Sequence, residues 1–174
     1  MSLTDKLTLT PIRKISGEVI LPGSKSLSNR ILLLSMLAEG QTEIKNLLDS
    51  DDIRRMVEAL EKLGIEFEEN RAENHISVSG TAGIIPVSEA TLMLGNAGTA
   101  IRPLTAAMTL GHGRFVLDGV ARMRERPIID LVEGLSQLGA NLTCLNGTSC
   151  PPVEVIADGL PGGKTRLSGA ISSQ

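Results

Sequence analysis

The sequence has 174 residues, within the roughly 100–200 residues of one domain, and is long enough to bury a core. Hydrophobic content of 41% and charged content of 21% belong to a globular protein, not to a disordered one. A net charge of -3, a pI near 5.4 and only two aromatics, Phe67 and Phe115, exclude a general nucleic-acid binder, so any bound anion must be small and met by local cations.

From the N-terminus, Met1 to Thr10 carries Asp5 and Lys6 but no apolar h-region, so a cytoplasmic or mature organellar protein is expected. Leu21-Pro22-Gly23-Ser24-Lys25-Ser26-Leu27-Ser28-Asn29-Arg30 reads as a strand end, a small-residue loop and the start of a helix. The body of that helix, Ile31 to Leu37, is apolar nearly all round and is expected to be buried. The longest apolar run, Ile31 to Ala38, falls far short of the roughly 20 residues of a membrane span, so no membrane segment is expected. A strand is predicted over Thr42 to Leu47. Ser50 to Leu63 then sets Ile53, Met56, Val57, Leu60 and Leu63 on one helical face, ended by Gly64, with Asp51 and Asp52 at the positive end. Strands follow at Ile65 to Glu69 and His75 to Val78.

The pattern then starts again. Met93-Leu94-Gly95-Asn96-Ala97-Gly98-Thr99-Ala100-Ile101-Arg102 aligns with the first loop, and a second apolar helix, Leu104 to Leu110, and a strand, Arg114 to Leu117, come after it. Ile128, Leu131, Val132, Leu135 and Leu138 reproduce the first amphipathic stripe, ended by Gly139, with Glu133 in the place of Glu58. Strands at Asn141 to Leu145 and Val153 to Ile156 close the second set. Self-similarity at a pitch of about 75 residues predicts an α/β (α+β) fold of repeated βαβαββ units. Leu167-Ser168-Gly169-Ala170-Ile171-Ser172-Ser173-Gln174 repeats the strand and loop once more, so two units and the cut start of a third are expected. The boundaries fall at 1–21 for a leading strand segment, 22–94 and 95–168 for the units, and 169–174 for the third opening.

Several familiar chemistries are disfavoured. Cys144 and Cys150, either side of an Asn146-Gly147-Thr148 turn, read as reduced thiols, and two cysteines with two distant histidines make a poor zinc site, so no metal is expected. Gly159-Leu160-Pro161-Gly162-Gly163-Lys164-Thr165 resembles a P-loop, but Asp158 stands where the first glycine is required and strand-like residues follow, so it reads as a turn. No dinucleotide fingerprint follows a strand, and His75 on a strand and His112 in a glycine turn read as structural. No cofactor is expected.

Cations occupy places that helix dipoles disfavour. Lys25 and Arg30 bracket the first loop, Arg102 lies in the first turn of the second apolar helix, and Arg122, Arg124 and Arg126 crowd the start of a helix at Pro127. Each costs roughly 0.3–1 kcal/mol when exposed, unless a bound anion reverses the sign. Gly23, Gly95 and Gly98 admit a ligand to backbone N–H groups, and Ser24, Ser26, Ser28 and Asn96 add donors. Phosphate or carboxylate groups are the expected guests, and the separate clusters imply two anionic substrates or one with several anionic groups.

The two loops, Arg122-Met123-Arg124-Glu125-Arg126-Pro127-Ile128 and Ser168 to Gln174 resemble, in order and spacing, the signature segments of the 5-enolpyruvylshikimate-3-phosphate synthase family. The resemblance covers essentially the whole chain but well under half of the usual enzyme, whose two lobes each hold three units. It implies an enolpyruvyl transferase-like lobe, with residues 1–21 belonging to the other lobe, and transfer of enolpyruvyl from phosphoenolpyruvate to the 5-hydroxyl of shikimate 3-phosphate. By the same resemblance Lys25, Ser26, Arg30, Ser172, Ser173 and Gln174 would bind shikimate 3-phosphate. Lys25, Asn96, Gly98, Arg126 and Gln174 would meet phosphoenolpyruvate or the inhibitor glyphosate, while Arg102 has no ligand role to carry over. The family's general base lies in the second lobe, so this chain alone is expected to be inactive, with the C-terminal remainder as a partner. Ile101 and Ala121 depart from the family's usual Met and Pro without touching a proposed contact. The other readings are a non-catalytic substrate-binding or complementing fragment of a split enzyme, and a relative of the UDP-N-acetylglucosamine enolpyruvyl transferase, whose Lys-Asn differs from Lys25-Ser26.

Overall fold

The computed structural model describes residues 7–167. Four helices and seven strands follow in the order α1 (Lys25–Leu37), β1 (Glu39–Ile44), α2 (Asp51–Lys62), β2 (Phe67–Asn70), β3 (His75–Thr81), β4 (Glu89–Met93), α3 (Gly98–Met108), β5 (His112–Asp118), α4 (Ile129–Gln137), β6 (Asn141–Cys144) and β7 (Val153–Asp158). From β4 to β7 the order is the predicted βαβαββ. From α1 to β3 it is the same order without a leading strand among the described residues.

The strands form two sheets. One runs β1-β3-β2 and is antiparallel throughout; the other runs β4-β5-β7-β6, with β4 and β5 parallel and the remaining pairs antiparallel. Alternation shows which face is covered: Val153, Val155 and Ala157 of β7 are buried while Ile156 and Asp158 are exposed, and Phe115 and Leu117 of β5 point the same way inward. On the covered side α1 packs on β1 and β3, α2 on β4, α3 on β5 and β7, and α4 on β6. The helices also pack on one another, α1 against both α2 and α3, so a single cluster of apolar side chains runs through both sheets.

The stripe of α2 performs as its spacing predicts. Ile53, Met56, Val57 and Leu60 are buried, with Leu63 just beyond the helix. Gly64 takes a left-handed φ of +76°, and its N–H and that of Ile65 return to the carbonyls of Glu61 and Leu60. Helix α4 ends alike: Gly139 has φ +95°, and Gly139 and Ala140 donate to Ser136 and Leu135. These paired closures satisfy carbonyls that a helix end would leave bare.

Three expectations need correction. Residues 17–21, which align with β4, form no strand, and Val19, Ile20 and Leu21 are exposed. In the second set Leu94 donates its N–H to Asp118 O at 2.8 Å as the last rung beside β5; Pro22 stands at the matching place and has no N–H to give. Helix α1 is not buried all round, since Leu27 and Leu34 face outward. Helix α4 starts at Ile129, and Met123–Glu125 forms a short 3-10 turn, so Arg122 and Arg124 lie in the connection before the helix and not on its first turn. They are also partnered: Arg122 with Glu125, and Arg124 with Asp118 through both carboxylate oxygens.

Asp118, at the end of β5, also accepts the Gly119 N–H at 2.7 Å. Burial pushes its carboxyl up, but the Arg124 hydrogen bonds, the Gly119 N–H and the Arg124 charge together hold it below the usual carboxylate range. A depressed folded-state pKa stabilises the fold above the unfolded value of about 3.9 and is lost as pH falls through the folded value. Asp118→Asn should therefore flatten the acid limb of the stability curve below about pH 4, seen in urea unfolding from pH 2 to 7; an unchanged limb would show that the pair does not couple to folding. Leu60 is fully buried in α2, and Leu60→Ala should cost about 2–5 kcal/mol in the same unfolding measurement.

Candidate functional site

The loops leading into α1 and α3 place two helix N-termini near one another. Ser24 caps α1 by backbone conformation alone and Ala97 occupies the same position before α3; neither makes a side-chain cap bond, and neither first turn contains an acidic residue. At α1 the leading N–H groups are thus left to an incoming acceptor, whereas at α3 those of Gly98 and Ala100 turn back to Asn96 O and Ala97 O and leave that of Thr99. The two helices are pinned together by Asn29, 1% exposed, whose Nδ2 donates to Thr99 Oγ1 at 2.7 Å, while its Oδ1 has no protein partner.

Between them opens a cleft of about 480 Å³. Lys25 and Arg30 reach it from α1, Asn96, Gly98, Thr99 and Arg102 from the second loop and α3, and Arg126 from the connection before α4. Among the described residues, Asp52 contributes the single carboxylate on its wall. Four cations against one anion make the cleft locally positive on a chain of net charge -3.

Arg126 lies over Gly98. A Cβ built on that glycine would sit 2.5–2.8 Å from the guanidinium, so only glycine permits the approach. Arg126 is tethered by Nη1 to Asn96 O at 3.3 Å and has no carboxylate partner among the described residues. Arg102, half-buried, donates Nη2 to Pro127 O and so braces the turn that carries Arg126. Burial first, then the charge of Arg126, lower the Arg102 pKa, while Asp130 opposes them. Arg30 likewise has no ion-pair partner among the described residues, whereas Lys25 Nζ lies 3.1 Å from Asp52 Oδ2. The arrangement can hold a multiply charged, phosphorylated guest through planar guanidinium forks and unsatisfied backbone N–H groups.

Of the residues singled out from sequence, Lys25, Arg30, Asn96, Gly98 and Arg126 share this one cleft. Ser26, in the first turn of α1, is not on its wall. Ser172, Ser173 and Gln174 lie outside the described residues. Four members of the wall had no site role from sequence: Thr99 and Pro103, inside or beside a motif already noted; Arg102, noted as a misplaced cation but set aside without a ligand role; and Asp52, whose place in the first turn of α2 had a sufficient explanation in the dipole. His75 pairs with Glu43 across β3 and β1, and His112 lies beside Asp158 on β7, both away from the cleft. Gly159 to Thr165 is neither helix nor strand, and three of its glycines have positive φ, as a turn requires.

Comparison with known proteins agrees with this geometry. Residues 9–174 match the family model described as EPSP synthase (3-phosphoshikimate 1-carboxyvinyltransferase). The chain is 59% identical over 177 residues to the chloroplastic 3-phosphoshikimate 1-carboxyvinyltransferase of Petunia hybrida, with 97% of the chain and 34% of the relative covered. It is 53% identical over 171 residues to the enzyme of that name from Sulfurovum sp., covering 98% of the chain and 40% of the relative. Among solved structures, EPSP synthase from Acinetobacter baumannii superimposes with a TM-score of 0.72 at 26% identity, over 88% of this chain and 33% of that one. The chain therefore spans between a third and two-fifths of these relatives. On the match of nearly its whole length, the chain belongs to the EPSP synthase family.

Proposed function

We propose that this chain is the substrate-binding N-terminal part of a 3-phosphoshikimate 1-carboxyvinyltransferase, which joins phosphoenolpyruvate to shikimate 3-phosphate. The observation that carries the reading is the meeting of Lys25, Arg30, Asn96, Gly98 and Arg126 in one cationic cleft, drawn from loops far apart in sequence. Both substrates are small phosphorylated carboxylates, the class such a cleft accommodates.

The resemblance to the family divides the cleft into two half-sites. Arg30 and the N-terminus of α1 take shikimate 3-phosphate, with Ser26 and the segment Ser172, Ser173 and Gln174 completing that half. Asn96, Gly98 and Arg126 take phosphoenolpyruvate, or glyphosate in its place, and Gln174 reaches both ligands. Lys25 stands between the halves. The reaction protonates the methylene carbon of phosphoenolpyruvate as the hydroxyl attacks its central carbon, then expels phosphate from the tetrahedral adduct. Here Lys25 and Arg126 align the two reactants and offset charge on phosphate and carboxylate. The general base comes from polypeptide beyond this chain, as does the neighbour that would cover the exposed apolar residues Leu7, Leu9, Ile12 and Ile15. Units at 22–94 and 95–168, with 169–174 opening a third and 1–21 serving the other lobe, belong to the same reading. Such an enzyme works in the cytoplasm, or in the plastid of a plant, as the chloroplastic label of the Petunia relative suggests.

Calorimetry on the 174-residue chain tests this. Saturable one-to-one binding of shikimate 3-phosphate, lost in Arg30→Ala, with no enolpyruvyl product from the chain alone, is the expected result; absence of saturable binding refutes the assignment. Gly98→Ala adds a methyl where the Arg126 guanidinium lies and should leave the helix intact. In enzyme assembled with the remainder of the protein it should weaken glyphosate more than phosphoenolpyruvate, as the added methyl takes room that the longer phosphonate–amine–carboxylate chain needs. Equal loss for both ligands contradicts that expectation.

A further inference from the structure

We propose that Cys144 and Cys150 form a thiol–disulfide site coupled to the cleft: joining them displaces the Ser149 carbonyl that anchors the turn carrying Arg126. The dithiol and its link to that turn do not depend on what the cleft binds. Only the ligand arm of the test rests on the assignment to phosphorylated substrates.

Both thiols are free and half-buried, within reach of a small oxidant. They flank a tight reversal in which Asn146 and Gly147 take consecutive left-handed φ values of +62° and +63°. The Thr148 hydroxyl spans the loop: it lies 3.4 Å from Leu145 O and 3.1 Å from Cys150 O, and accepts the Cys150 N–H at 3.3 Å. Backbone beside one cysteine and backbone of the other thus meet at one side chain. Burial, and then the neighbouring Cys150, push the Cys144 thiol up.

Closing the bond moves the loop and not the sheet. Cys144 ends β6 in register with Val153 of β7, and the next residue, Leu145, donates its N–H to Pro152 O at 2.7 Å. A disulfide needs sulfurs about 2.05 Å apart, and the side free to supply that approach is Thr148 to Cys150. Besides the Thr148 contacts, the hydrogen bond that holds this stretch among the described residues is Ile128 N–H to Ser149 O at 2.8 Å. That bond grips one end of the peptide unit joining Pro127 to Ile128, and Arg102 Nη2 grips the other at Pro127 O. Arg126 immediately precedes this unit. Release of the Ile128 end lets the unit turn away from Arg102, and the Arg126 guanidinium loses its seat over Gly98. By reciprocity, an anion held on Arg126 opposes formation of the disulfide.

Glutathione disulfide suffices as oxidant. One cysteine thiolate attacks a glutathione sulfur and expels a glutathione thiolate; the other cysteine thiolate then attacks the protein sulfur of the mixed disulfide and expels a second. The protein gives up two thiol protons and two electrons, and two glutathione molecules form.

The test treats the 174-residue chain, Cys144→Ser, Cys150→Ser and the double variant with glutathione disulfide, maps unreduced peptides by mass spectrometry and follows amide hydrogen exchange. The parent should gain an internal Cys144–Cys150 bond, lighter by two hydrogen atoms, and exchange the Ile128 amide roughly tenfold faster, with α2 unchanged and with reversal by dithiothreitol. Each single variant should carry one glutathione, and the double variant should keep its slow exchange. An unreacted parent, or glutathione on both cysteines without an internal bond, overturns the site. A bond that leaves Ile128 exchange unchanged, or that speeds α2 equally, overturns the coupling. In the ligand arm, phosphoenolpyruvate with shikimate 3-phosphate present should bind the oxidised chain roughly tenfold more weakly than the reduced one and should slow its oxidation; equal affinity in both states overturns the link to the cleft. Failure of the reduced chain to bind either ligand tells against the functional assignment alone, while the peptide and exchange results still decide the dithiol.

Discussion

Lys25, Arg30, Arg102 and Arg126 face one another across a cleft that, among the described residues, contains a single carboxylate, and Lys25 also stands on a first helix turn whose dipole repels it. Left to themselves these side chains would separate into solvent, since mutual repulsion and side-chain entropy both favour dispersal. The surrounding structure is organised against that tendency. Asp52 holds Lys25, the Pro127 carbonyl holds Arg102, the Asn96 carbonyl holds Arg126, and the absence of a side chain at Gly98 gives the Arg126 guanidinium room to lie down. None of these contacts other than Asp52 cancels a charge. They fix direction and leave the positive potential intact for an anionic guest.

Such arrangements need a rigid frame. Here it comes from helices packed on one face of two sheets and ended by the same glycine closure at Gly64 and Gly139. The part-buried Asn29–Thr99 hydrogen bond ties α1 to α3, so the spacing of the two N-termini is set by a polar contact beside an apolar cluster. A buried bond of this kind is costly to break, because either group alone would be stranded away from water. Asp118 extends the same logic outward: by gripping Arg124 and the Gly119 N–H, it fixes the connection on which Arg126 rides.

The parts legible in the sequence are those governed by periodicity. The stripe from Ile53 to Leu63 and its repeat from Ile128 to Leu138 set α2 and α4 within a residue or two, because an apolar face has one way to be buried. Strand ends moved more: β1 occupies Glu39–Ile44 instead of Thr42 to Leu47, since pairing with β3 from Thr81 to Ile76 fixes the register and polar residues suffice at an edge. The missing strand before α1 was not legible, because residues 17–21 alternate like β4 yet Val19, Ile20 and Leu21 lie exposed with no described strand beside them. In the site, Lys25, Arg30, Asn96, Gly98 and Arg126 were legible from charge placement and motif. Arg122 and Arg124 were misread because a run of arginines carries no sign of which ones find carboxylates; Glu125 and Asp118 absorb them. Asp52 was invisible for the opposite reason, since an acid in a first turn already has an ordinary explanation.

Repetition in the scaffold and asymmetry in the site belong together. Two copies of one supersecondary pattern bring two similar N-termini to one place, which by itself would favour two equivalent anions. The differences between the copies break that equivalence: Lys25 against Ala97, Asp52 against Pro127, and Ser24 against Asn96 as the small polar residue after the loop glycine. One half-site gains a paired, sheltered ammonium; the other gains a guanidinium laid flat over a glycine. On the proposed assignment, two chemically distinct phosphorylated guests are told apart by halves of a common frame, and Lys25 is the cleft cation held by a carboxylate where Arg102 and Arg126 are held by carbonyls.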